Sequence, residues 1–183
     1  MKFKAMTAVA ALLVAAPMLG MADEEAELVV NGEIEMVTKT DAPAHLEGAL
    51  PEIMSGWRFR SDETQQTQMD DFDNPGMIFV DQAQAVWDTA EGSEDKSCAS
   101  CHNDVESMEG VRAVYPKWNE EAGEVRTLAM QINDCRETQM GAEPWKYDGG
   151  DMTAMEALIS VQSRGMPVNV AIDGPAQSRH SYS

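Results

Sequence analysis

The chain has 183 residues with 13 basic and 32 acidic side chains, a formal net charge of −19, which leaves room for one domain of ordinary size or two very small ones. At 43% hydrophobic residues the composition is that of a folding chain, and aromatics at only 6% point to a helical rather than a sheet-rich interior. The charge excludes unaided nucleic-acid binding, because Lys and Arg must displace counterions from phosphates, and it disfavours an anionic membrane surface.

An export signal opens the sequence. Lys2 and Lys4 precede an apolar run from Ala5 to Leu19, and Gly20-Met21-Ala22 supplies small residues for a signal peptidase, so cleavage is expected after Ala22. The run is shorter than the roughly 20 residues that span a bilayer, and an acidic stretch follows at once. A soluble periplasmic protein with residues 1–22 removed is the expectation. Residues 23–55 then read as an acidic, irregular N-terminal extension, with one possible small hairpin around Asn31-Gly32.

Residues 56–176 read as a mainly α domain. Trp57 and Phe59 form an apolar knot ahead of a polar stretch. Asn74 and Pro75 then look like the N-cap and first position of a helix to about Ala90, burying Ile78, Phe79, Ala83, Val86 and Trp87, with Gly92 beyond its end. A second helix is expected between Glu124 and Met140, where Val125, Leu128, Ile132 and Cys135 recur at three- and four-residue spacing. A third is expected over Asp151–Ser163, capped by Asp151 and striped by Met152, Met155, Leu158 and Ile159, before the turn Arg164-Gly165-Met166-Pro167. No strand of convincing alternation is expected in this region. Residues 177–183 form a polar tail.

Chemistry is concentrated in Cys98-Ala99-Ser100-Cys101-His102, the attachment signature of a c-type haem. Two thiols three residues apart can reach the two vinyl groups of one porphyrin, and the adjacent imidazole becomes the proximal iron ligand. One covalent haem per chain follows, in a class I cytochrome c-like domain. A thioredoxin-like motif would open a helix after a strand, which is lacking. Zinc on Cys98, Cys101, His102 and Cys135 would require ligation by two adjacent residues, awkward for a tetrahedron.

Two residues compete for the sixth iron position. Cys135 is the cysteine left over, placed by periodicity on a buried face, where a thiolate would lower the reduction potential. Met166, in a loop before Pro167, has the usual distal arrangement of small cytochromes c and is slightly favoured on spacing alone. His45 and His180 lie in acidic or terminal segments and read as solvated. The acidic runs Asp70-Asp71-Phe72-Asp73 and Glu91-Gly92-Ser93-Glu94-Asp95 read as solvated faces rather than catalytic carboxylates.

Five motifs in consistent order carry a resemblance. Ser55-Gly56-Trp57-Arg58-Phe59, Asp73-Asn74-Pro75-Gly76-Met77, Lys96-Ser97 with the attachment signature, Ile132-Asn133-Asp134-Cys135-Arg136 and Gln162-Ser163-Arg164-Gly165-Met166-Pro167-Val168 resemble the first haem domain of the SoxA family. That family supplies the cytochrome subunit of periplasmic L-cysteine S-thiosulfotransferase, pairs with the cytochrome SoxX, and joins thiosulfate to a cysteine of the carrier SoxYZ. The resemblance implies that His102 and Cys135 hold the haem iron, shifting the distal preference from Met166 to Cys135. It covers residues from about Ser55 to Ala176, without the family's second, active-site haem domain, so a truncated product is the expectation and no catalytic cysteine transfers to this chain. The competing reading is a stand-alone electron-transfer cytochrome that docks through its acidic face.

Overall fold

A computed structural model describes residues 27–46, 48–171 and 174–175. The expected export segment 1–22, the tail 177–183 and His180 lie outside the described residues.

The longest apolar stripe in the sequence organises the core. Helix α5 (Gly150–Val161) buries Met152, Met155, Leu158 and Ile159, each at 4% exposure or less, as the three- and four-residue spacing requires. It begins after Gly149, two residues earlier than a cap at Asp151 would place it. Its main partner is α2 (Met77–Asp88), which contributes Val80, Ala83 and Trp87. Here the expected buried face is corrected. Ile78 and Phe79 are 59% and 55% exposed, because the phase of α2 is set by Val80, Ala83 and Trp87 meeting α5. Asn74 still shapes the entry, its Oδ1 accepting from the Gly76 N–H at 2.9 Å, but that bond closes a turn and the helix proper starts at Met77.

A polar helix, α1 (Asp62–Met69), fills the stretch before it, where no helix was expected. Ser61 caps it through its Oγ, which accepts from the Thr64 N–H at 3.4 Å. Trp57 is buried as expected, whereas Phe59 is 54% exposed.

The expected irregular extension is instead built of two antiparallel ribbons. Strands β1 (Leu28–Val30) and β2 (Ile34–Met36) pair about the Asn31-Gly32 turn, and β3 (Lys39–Asp41) pairs with β4 (Glu52–Met54). The first ribbon is the hairpin that Asn31-Gly32 signalled, whereas the three-residue strands β3 and β4 are too short to show alternation, and the sequence pattern does not reveal them. The first ribbon is tied to the helical body. Asn31 N–H donates to the Met69 carbonyl at 2.7 Å, and Asn31 Nδ2 donates to Asp71 at 3.0 Å. Asp71 also receives both terminal nitrogens of Arg164, at 2.7 and 2.8 Å, so one carboxylate joins the ribbon, the α1–α2 loop and the turn after α5.

This junction titrates. The fork of Arg164 holds the Asp71 carboxyl below the ordinary aspartate range, against a smaller opposing effect of burial. A lowered folded-state pKa means that the contribution is fully present above the unfolded value and is lost as pH falls through the folded one. Asp71→Asn is therefore expected to destabilise by about 1 kcal/mol at neutral pH, the scale of a partly exposed bidentate pair. The difference from wild type should shrink toward pH ~3 in urea titrations. A difference that grew on acidification would contradict this assignment.

Beyond the attachment signature, the single helix expected between Glu124 and Met140 is not what forms. Residues Glu124–Arg126 form β6, paired with β5 (Lys117–Asn119), and α4 runs only over Leu128–Cys135. Thr127 decides the boundary, since its Oγ1 accepts from the Met130 N–H at 3.2 Å and caps the helix there. A wider π-type turn, Arg136–Met140, follows and is closed by Gly141 in the left-handed region (φ 62°). Among the described residues no helix is long and apolar enough to cross a membrane.

Candidate haem site

The attachment signature forms the one-turn helix α3 (Ala99–His102). Two serines fix its start: Ser97 Oγ accepts from the Ser100 N–H (3.2 Å) and Ser100 Oγ accepts from the Ser97 N–H (3.0 Å). The Cys98 carbonyl accepts from His102 N–H at 3.0 Å, so Cys98 and Cys101 lie one turn apart on a shared face. Trp87 backs the turn. Its Nε1–H donates to the Asn103 carbonyl at 2.8 Å, and its ring centroid lies 6.0 Å from that of His102.

Opposite stands α4. Both walls border one cavity of about 410 Å³, within the range of small-molecule and cofactor sites, and its lining includes Cys98, Cys101, His102 and Cys135. Apolar side chains dominate the rest, among them Met108, Leu128, Ile132, Met155 and Ile159. Met166 is not in the lining; its turn is held over the first ribbon by the Arg164–Asp71 pair and by the Gly165 N–H, which donates to Met36 Sδ at 3.1 Å. The structure thus brings four of the five candidate residues together and leaves Met166 apart.

The two walls are joined through Arg136, which is 5% exposed. One terminal nitrogen donates to Glu91 at 2.7 Å, Nε donates to the Glu143 carbonyl at 3.0 Å, and the guanidinium stacks 3.9 Å from the Trp145 ring centroid. A buried cation needs this many partners to offset its lost hydration. Asn133 adds a reciprocal clamp on the Trp145 backbone, donating to its carbonyl (2.9 Å) and accepting from its N–H (2.8 Å). Asp134 pairs with Arg126 at 3.0 Å, tying α4 to β6. Every residue of Ile132-Asn133-Asp134-Cys135-Arg136 therefore has a structural task, which explains why these types stand together.

On the other wall, residues 91–96 make a tight reversal closed by the Glu91 N–H donating to the Lys96 carbonyl at 2.9 Å. Gly92 permits it. Its φ is +75°, and a Cβ there would collide with the Met140 carbonyl oxygen and the Gly141 backbone. Ser93 and Glu94 N–H groups donate to the Gly141 and Met140 carbonyls, so the reversal that delivers Cys98 is stitched to the end of the π-type turn.

The donor set suits haem better than the alternatives. A zinc cage needs ligands gathered within about 2.0–2.3 Å of one point. Among the described residues no group of three or more His, Cys, Asp or Glu side chains meets that need, and Cys98, Cys101, His102 and Cys135 instead border an apolar space. No disulfide joins any two of the three cysteines. Burial pushes the Cys98 thiol above its ordinary pKa, opposed by the Arg136 charge and assisted by Cys135.

Sequence reasoning did not reach Gln131, Asn119, Arg136 and Trp145 as parts of this site. Gln131 precedes Cys135 by four residues, and that spacing alone puts both on one helix face. The contacts of the other three cross between elements and have no local signature.

Helical walls about an apolar cavity, with an attachment signature on one of them, define a cytochrome c domain, and comparison agrees. Residues 82–168 match the family model of the SoxA/TsdA cytochrome c domain. In particular, the chain is similar to the L-cysteine S-thiosulfotransferase subunit SoxA of Rhodovulum sulfidophilum, 61% identical over 152 residues, covering 82% of this chain and 53% of the relative. The Paracoccus pantotrophus subunit of the same name is 48% identical over 146 residues, 80% of this chain and 50% of that one. The crystal structure of SoxXA from P. pantotrophus superposes with a TM-score of 0.80 at 46% identity, covering 84% of this chain and 60% of that one. The chain spans about half the length of the curated relatives it matches.

Proposed function

We propose that this chain is the electron-transferring haem portion of a SoxA-type thiosulfotransferase subunit, a periplasmic, mainly α domain of class I cytochrome c type over residues 56–176. Cys98 and Cys101 would hold one haem c through thioethers, and His102 and Cys135 would serve as its proximal and distal iron ligands. The observation that carries this reading is the convergence of those four side chains on one apolar cavity. When bound, haem c supplies one-electron redox chemistry there.

The chain's own residues do the rest. The Ser97–Ser100 pair holds the two thiols in register, Trp87 backs the His102 imidazole, and Leu128, Ile132, Met155 and Ile159 exclude water. Low dielectric around a charged centre is a main lever on its potential. A SoxX-like cytochrome is the partner that the similarity to SoxXA favours, and the reaction served is the joining of thiosulfate to a cysteine of a SoxYZ carrier.

All three cysteines of the chain are committed in this scheme, and a net charge of −19 repels dianionic thiosulfate. The haem-loaded polypeptide is therefore expected to bind a SoxX-like cytochrome in size-exclusion chromatography and to be reduced by dithionite. With SoxX and SoxYZ it should give no carrier thiosulfonate by mass spectrometry. Thiosulfonate above background would place the sulfur chemistry on one of these cysteines and overturn the assignment.

A further inference from the structure

Cys135 does not face the cavity alone. One helical turn earlier Gln131, half-buried in the same lining, donates from Nε2 to the Cys135 sulfur at 3.6 Å. The direction of that bond is fixed by a chain of contacts that ends on the backbone. The Ala122 N–H, which can only donate, points at Asn119 Oδ1 at 2.8 Å. That orients the Asn119 amide so that its Nδ2 donates to Gln131 Oε1 at 3.5 Å. With its oxygen engaged there, the Gln131 amide turns its nitrogen to the sulfur. Asn119 closes β5 and Gln131 lies in α4, so the relay runs from the β5–β6 turn across to the distal wall.

We propose that Gln131, oriented by Asn119, is a positioning residue that sets the reduction potential by donating a hydrogen bond to the sulfur of Cys135. The inference rests on Cys135 being the distal ligand. An N–H donated to a ligating thiolate draws electron density from sulfur and weakens its donation to iron, which favours the reduced state. Reduction adds one electron at the iron and transfers no proton from the amide, whose N–H remains on nitrogen throughout. The same bond fixes the Cys135 rotamer, because the sulfur is held from within its own helix at i, i+4 spacing.

The test is a spectroelectrochemical titration of the haem-loaded chain, wild type against Gln131→Met, Asn119→Ala and Cys135→Ser. Gln131→Met keeps side-chain length and removes the donor. It should lower the reduced-to-oxidised ratio at a fixed poise about tenfold, the lower end of outer-shell effects and equal to ~59 mV for one electron. Asn119→Ala should shift the midpoint in the same direction by less, since Gln131 remains but is free to turn. A Gln131→Met midpoint at or above wild type, while Cys135→Ser changes the spectrum, overturns the role of Gln131 alone. If Cys135→Ser leaves both spectrum and midpoint unchanged, the ligand assignment fails and the inference fails with it.

Discussion

Replacing Cys98 and Cys101 together by alanine is expected to abolish covalent haem, taking the pyridine haemochrome signal of acid–acetone-extracted protein from one haem per chain to none. The expectation follows from the count and the geometry. The sequence has three cysteines, and only these two lie one turn apart, Cys98 at the N-cap of α3 and Cys101 within it, with the serine pair locking that turn. Cys135 sits on the opposite wall and cannot replace either. A single substitution leaves one thiol to form one thioether, so each should retain haem that resists extraction. Haem that extracts fully from the unmodified chain would remove the basis of the proposed function.

The next largest effect is expected at Cys135. Changing it to serine exchanges a strongly donating sulfur for a weak oxygen donor, which destabilises the oxidised iron. The midpoint potential should rise by roughly 0.1 V or more, within the ~0.8 V span that axial ligands command. The low-spin optical spectrum should give way to that of an open or weakly ligated iron. Met166→Leu should leave both properties near wild type, because Met166 is 38% exposed on a turn outside the cavity lining. The reverse pattern, with Met166 sensitive and Cys135 silent, would assign the distal position to the methionine.

What could be read from the sequence was whatever a short window contains. The α5 stripe, the attachment signature and the Asn31-Gly32 reversal are local patterns, and each has its counterpart in the structure. The face of α2 was legible only in part, since Ala83 and Trp87 are buried while the equally apolar Ile78 and Phe79 are not. That choice is made by α5, seventy residues away. Val125 shared the period of Leu128, Ile132 and Cys135, yet Thr127 caps the helix after it and pairing with Trp118 claims it for a strand. The start of α1 was signalled by Ser61 ahead of Asp62 and Glu63, a capping pattern masked by the absence of an apolar face. In the site, the residues that bear the chemistry were visible. Those that orient them, Arg136 through Glu91 and Gln131 through Asn119, depend on partners from other elements.

The meeting of Gly92 with the Met140–Gly141 turn has a consequence for how the chain can vary. Gly92 is exposed, a position where substitution is ordinarily tolerated, yet the atoms a side chain would strike are backbone and cannot rotate aside. Relief would come only by lifting the whole reversal off the π-type turn, and the first attachment cysteine travels with it six residues on. The glycine therefore works as a spacer of fixed thickness between two walls, and the clearance it sets at the rim is the clearance the walls keep at Cys98 and Cys135. A methyl group added at the surface would, under the proposed attachment, be read in the interior as a misfit between the Cys98 thiol and the group it would hold.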